Sequence, residues 1–178
     1  MSLLPTPKKL AFVSAFVAFA SIGTAVASEK VYFRNVEGQW SGAGNIVAGP
    51  YKNTRFTCKF DGKSPNGSGM ELTGTCRVGL FSQPMSAKIT KKGSSYRGAF
   101  LDGAEGKGLD IVSGKLRGKR LILGIKRKKL NGTMIANLKN DKKLNITISV
   151  KVNKKLVPFI GLTLNKTSGV RRTSLLGD

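Results

Sequence analysis

Apolar and polar residues alternate with a period of two through most of the chain, between turn residues at short intervals, and this is the pattern of half-buried β-strands. In RFTCKFD, Phe56, Cys58 and Phe60 share one face, while Arg55, Thr57, Lys59 and Asp61 share the other. MELTGTCRVGL repeats the arrangement, with Met70, Leu72, Cys76, Val78 and Leu80 pointing one way and Glu71, Thr73, Thr75 and Arg77 the other. LNITISVKV sets Leu144, Ile146, Ile148, Val150 and Val152 against Asn145, Thr147, Ser149 and Lys151. Further strands are predicted near 39–48, 85–91, 95–101, 109–116, 120–126, 133–138 and 158–166, about ten in all.

After residue 27 no window reads as an amphipathic helix, because Gly and β-branched residues interrupt each candidate. The connections KKGSS, RGK, KLNG and NDKK are short and favour antiparallel neighbours in sequence. The expected fold is therefore all-β: an antiparallel meander of about eight to ten strands closed into a barrel with its apolar residues inside. A two-sheet sandwich is the alternative. An outer-membrane barrel fits less well, since aromatic girdles are absent and most predicted strands fall short of the 9–11 residues that spanning needs.

Cys58 and Cys76 lie on the apolar face, each nine residues from Gly67 in the turn DGKSPNGSG. A hairpin symmetric about Gly67 sets them directly opposite one another, within reach of a disulfide. No Cys-x-x-Cys motif is present, so the bridge reads as structural.

The N-terminus has a three-part plan: Lys8 and Lys9, the apolar run Leu10 to Gly23, and small residues at Ala25 and Ala27. That is the layout of a secretory signal with cleavage after Ala27, and the apolar run is too short to span a membrane. The expected organisation is a signal peptide at 1–27, one barrel domain at 28–167 and a tail at 168–178. The expected compartment is the periplasm, where one disulfide is unexceptional.

Removing Lys8 and Lys9 leaves 29 basic against 9 acidic residues, a net charge of about +20 with no histidine. Such a field favours anionic partners. In a meander alternate turns emerge at the same end, so Lys126, Arg127, Lys128 and Lys129 share one rim with Lys154 and Lys155. Arg117, Lys119, Arg120, Lys142 and Lys143 decorate the other. Basic rims suit phosphate-bearing membrane surfaces. No exposed aromatics suited to stacking bases accompany these clusters, so a specific nucleic-acid partner is not expected.

Without histidine the commonest general base is missing, and the acids are dispersed. The densest group, Asp102, Glu105 and Asp110 in DGAEGKGLD, reads as a solvated turn. Neither an enzymatic activity nor a metal or other cofactor is expected. EGQWSGAGNIVAG also fails as a phosphate cradle: no Gly stands three residues after Gly44, no Lys-Ser/Thr pair follows, and Gly49-Pro50-Tyr51 signals a turn.

Within that stretch Gly38-Gln39-Trp40 matches the Gly-x-Trp signature that opens the first strand of the lipocalin-like, or calycin, barrels, which the chain resembles. The resemblance implies that Trp40 closes one end of the barrel beneath a basic side chain from near the chain's end: Lys166, Arg171 or Arg172. It also implies a non-enzymatic binding protein for an apolar or anionic, lipid-type ligand, working as a monomer. Ten strand candidates depart from that family's usual eight. A second resemblance is to small bacterial periplasmic protease-inhibitor barrels, which combine an early tryptophan with one disulfide. It implies a protein partner engaged by an N-terminal arm, here Ser28 to Val36. A purely structural envelope role is the remaining alternative.

Overall fold

The computed structural model describes residues 23–101 and 108–167. One helix, α1 (Gly23–Val36), precedes ten strands: β1 (Gly38–Ile46), β2 (Arg55–Lys63), β3 (Gly69–Val78), β4 (Phe81–Lys92), β5 (Ser95–Leu101), β6 (Leu109–Arg117), β7 (Arg120–Arg127), β8 (Leu130–Asn140), β9 (Lys143–Val152) and β10 (Lys155–Lys166). Each strand pairs antiparallel with its neighbours in sequence, and β10 pairs with β1 to close the barrel. The expected all-β meander barrel is thus the observed fold, and the sandwich is not. Residues 168–178, expected as a tail, and residues 1–22 of the expected signal peptide lie outside the described residues.

Because strands alternate in direction, the barrel has two distinct ends. At one end lie α1, the start of β1, the β2–β3, β4–β5, β6–β7 and β8–β9 connections and the end of β10. At the other lie the β1–β2, β3–β4, β5–β6, β7–β8 and β9–β10 connections. We call these the plugged end and the mouth.

Closure fixes where glycine is needed. A Cβ at Gly42 would stand 1.9 Å from the carbonyl oxygen of Thr163 on β10, and one at Gly44 would stand 2.4 Å from the ring of Phe56. The two glycines of the tryptophan stretch therefore let β1 pack tightly between its neighbours. Their role is close approach, since a side chain at either position would push the seam open.

Three expectations are corrected. First, α1 is a helix where none was predicted. Its Tyr32, Phe33 and Val36 are almost fully buried against the barrel, so docking supplies what local propensity lacks. The expected cleavage point at Ala27 falls inside the helix, and the buried Tyr32, Phe33 and Val36 lie after it. Second, most strands are longer than predicted, and only β5 (7 residues) and β7 (8 residues) fall short of nine. Length therefore does not argue against a membrane-spanning barrel. The orientation does: the apolar face is the inner one, and the outer face carries Thr57, Lys59, Thr73, Thr75 and Arg77 in exposed positions. Third, β3 ends at Val78, so Leu80 does not point inward with Met70 and Leu72. It sits in the β3–β4 turn, 96% exposed.

Candidate functional site

The plugged end is built around Trp40, which is 1% exposed. Its indole Nε1 donates to the carbonyl oxygen of Val36 at 2.7 Å, tying the last residue of α1 to β1. The β1–β10 register sets Trp40 opposite Lys166, and the Lys166 ammonium stands 5.1 Å from the indole centroid. The basic side chain over the tryptophan is thus Lys166. Arg171 and Arg172, expected to share that task, lie outside the described residues. Gly38 adopts φ 104° at the helix–strand junction, a conformation that L side chains rarely adopt.

Phe33 fills the centre of the plug, edge-on to Tyr32 with ring centroids 5.3 Å apart and tilted against Tyr96 at 5.4 Å. The Tyr32 hydroxyl donates to the carbonyl oxygen of Ala136 at 3.0 Å, deep inside the barrel. Glu29 anchors the N-terminal side of the docked segment, accepting from the Tyr96 hydroxyl and the Lys91 ammonium. Burial raises the ionisation of both tyrosine hydroxyls above the usual range, and at Tyr96 the Glu29 carboxylate adds to the effect. Residues 28–36, the arm that the protease-inhibitor resemblance implies, are helical, and their Tyr32, Phe33 and Val36 are buried in the plugged end.

Beyond the plug the interior changes character. A void of about 90 Å³ lies among 18 side chains, and every one is apolar. Ala87 and Ala136 leave space, and Met70, Met85 and Met134 give part of the wall an adaptable surface. Phe33 of α1 and the buried Trp40, Leu138 and Leu144 do not line the void, whereas Ala136, which accepts from Tyr32, does. The void occupies the half of the barrel toward the mouth. Exposure grades the same way: Phe60, Leu72 and Ile89 are buried, whereas Phe56, Met85, Phe100 and Ile160 nearer the mouth are only half-buried. The sequence pattern placed Phe56, Phe60 and Met70 on the inward face, but whether such side chains fill a ten-strand barrel depends on its closure.

Cys58 and Cys76 oppose each other across β2 and β3 and form the expected disulfide, with Cα atoms 4.1 Å apart. Both line the void, so the bridge is part of its wall.

The two predicted basic clusters share the mouth, as the meander requires. Lys128 (φ 51°) turns the tight β7–β8 hairpin, and Asn153 (φ 46°) with Lys154 (φ 67°) turns β9–β10. Lys126, Lys128, Lys129, Lys154 and Lys155 are exposed, and Arg127 is half-buried beside them. Sequence analysis missed what lies between these cations. Ten large hydrophobics are exposed among the described residues, and all but Val31 and Val112 cluster at the mouth, led by Leu80 (96%), Phe81 (84%), Tyr51 (68%) and Leu156 (55%). The cue was available: apolar residues beside turn signals, as in GLF and KKLV. Among the described residues no group of His, Cys, Asp or Glu is placed to hold a metal ion.

No family model matches the chain, and neither does any curated protein. Among solved structures it is similar to Rv2717c from M. tuberculosis, at 11% identity and a TM-score of 0.53, covering 75% of this chain and 94% of that one. It also matches a redesigned β-barrel, b11L5F_LGL, at 6% identity and a TM-score of 0.48, covering 77% of this chain and 96% of that one. A de novo designed fluorescence-activating β-barrel matches at 4% identity and a TM-score of 0.43, over 75% and 95% of the two chains. Identities this low speak to fold alone, and the fold is a closed antiparallel ten-strand barrel.

Proposed function

We propose that the protein is a non-enzymatic binding protein of the cell envelope, exported to the periplasm, whose barrel takes a slender apolar chain with an anionic head at the basic mouth. The observation that carries this reading is the void of about 90 Å³, lined by apolar side chains, in a barrel whose opposite end is plugged by α1. An engineered cavity of about 150 Å³ holds benzene and stays free of water. The present void is smaller, so it suits a few methylenes of a single alkyl chain and excludes a bulky ring system. The methionines in its wall are unbranched and adaptable, which suits a chain entering from the mouth. Lys128, Lys154 and their neighbours then meet the head group.

Calorimetric titration with alkyl phosphates of increasing chain length tests the proposal. Each buried methylene contributes about 0.8 kcal/mol, so affinity should rise about fourfold per carbon and then level off once the void is filled. Alkyl glucosides of equal length should bind more weakly, because they leave the rim cations unpaired. A series with no dependence on chain length, or no binding at all, would refute the reading.

A further inference from the structure

We infer that the mouth rim is a docking face for an anionic phospholipid bilayer, with the β3–β4 turn inserted and the opening of the barrel turned toward the lipid. This rests on the proposed function in one respect: a mouth pressed against a bilayer gives an alkyl chain a path that avoids water.

Charge alone does not choose an end, because both rims are basic. The plugged end has Lys92, Lys119 and Lys142 exposed, but Glu29, Glu37, Asp61 and Asp141 are interspersed there. Its apolar surface is covered by α1. The mouth combines cations with bare apolar side chains. Leu80 and Phe81 project from one turn, Tyr51 from the β1–β2 loop, and Val152 and Leu156 flank the β9–β10 turn between Lys151, Lys154 and Lys155. Single exposed hydrophobics are ordinary on soluble proteins, but a ring of them at one end is not. Apolar side chains that reach the acyl boundary beside lysines that meet phosphates form the pairing that holds proteins at membrane interfaces. Acidic opposition among the described mouth residues comes from Asp110, which pairs in register with Lys126. Asp102 and Glu105, between β5 and β6 in sequence, lie outside the described residues. A second copy of the chain is disfavoured as the occupant, since each copy carries a formal charge of +22.

The test uses the protein labelled with a polarity-sensitive dye at Leu80→Cys, or at Lys119→Cys on the plugged end as a control. The native cysteines are bonded to each other and do not compete for label. Vesicles contain phosphatidylcholine alone or with phosphatidylglycerol. The expected result is a blue shift at position 80 and none at 119, only with phosphatidylglycerol, reversed by about 0.5 M salt as screening lengths shrink. The double variant Leu80→Ser/Phe81→Ser should lose more than tenfold in vesicle affinity while still binding alkyl phosphates in solution. Equal shifts at both positions, or full vesicle affinity in the double variant, would overturn the inference. A shift at position 80 that grows with protein concentration without vesicles would also overturn it, in favour of contact between copies. Docking that fails while alkyl phosphates bind removes this inference alone. Docking that persists without alkyl phosphate binding upholds the face and removes the cargo.

Discussion

Filling the void from inside separates ligand binding from folding. Ala87 lies on β4 between Leu72 of β3 and Phe100 of β5, is 7% exposed and lines the space. Replacing it by leucine places roughly three further carbon groups into the void, which would add up to about 2.4 kcal/mol of burial at about 0.8 kcal/mol each. Imperfect fit in a packed interior opposes this by about 1–3 kcal/mol, so Ala87→Leu should fold with stability within about 2 kcal/mol of the wild type. Ligand binding should respond more sharply. A chain denied the same volume forgoes about 2.4 kcal/mol, or roughly 60-fold in affinity. Urea denaturation and calorimetric titration with decyl phosphate measure the two quantities on the same samples. Ala43→Leu, on the exposed outer face of β1, serves as the control and should change neither. If Ala87→Leu folds normally and binds decyl phosphate as tightly as the wild type, the interior is not the binding site.

The plugged end supplies three more tests. Phe33→Ala removes a fully buried ring from the α1 contact and should cost about 3–5 kcal/mol, read as a lower urea midpoint. Lys166→Ala removes the cation over Trp40 and should cost about 0.5–2 kcal/mol. Trp40 is the single tryptophan, so a shift in its emission reports the change directly. The pH test follows from the buried hydroxyl of Tyr32, whose ionisation is raised by desolvation. The unfolded chain ionises tyrosine near pH 10 while the native state keeps the proton, so the stabilisation is complete below pH 10. It declines as pH climbs from there toward the raised native value, by up to about 1.4 kcal/mol per unit. Tyr32→Phe should flatten that share of the slope between pH 9 and 11, and parallel slopes would contradict the assignment.

The barrel was legible because alternation is a local signal that each strand carries by itself. It faded where strands run past the inward-facing core. β4 was expected from 85 but begins at Phe81, so that it contains Pro84, which cannot donate to a ladder. The structure tolerates the proline because β4 pairs with β5 only from Ser86 onward, so among the described residues Pro84 has a neighbour on one side alone. The helix was hidden for a different reason. Setting aside residues 1–27 leaves nine residues of the helix, 28–36, too few to be stable by themselves, and the buried side chains among them are Tyr32, Phe33 and Val36. Its stability is tertiary, and no local pattern carries it. Trp40 was recognisable from its motif, but the choice of Lys166 over its neighbours came from the β1–β10 register.

Ten strands rather than eight make a wider barrel, and a wider barrel must be filled or left partly empty. Here the two ends resolve that differently. Near α1, three aromatic rings and the indole of Trp40 complete the packing, and polar contacts from Glu29, Tyr32 and Trp40 lock it. Beyond the plug the inward positions include Ala87 and Ala136, and no α1 side chain reaches the space they leave. The shortfall lies where the strand ends are also bare, with Leu80 and Phe81 in water. Unfilled volume and exposed apolar side chains both raise the free energy of the isolated protein. Neither is needed to close the barrel, since the plug achieves that at the opposite end. An alkyl chain in the void and an anionic bilayer against the rim would relieve both together, and the lysines between the apolar tips would then meet opposite charge in place of one another.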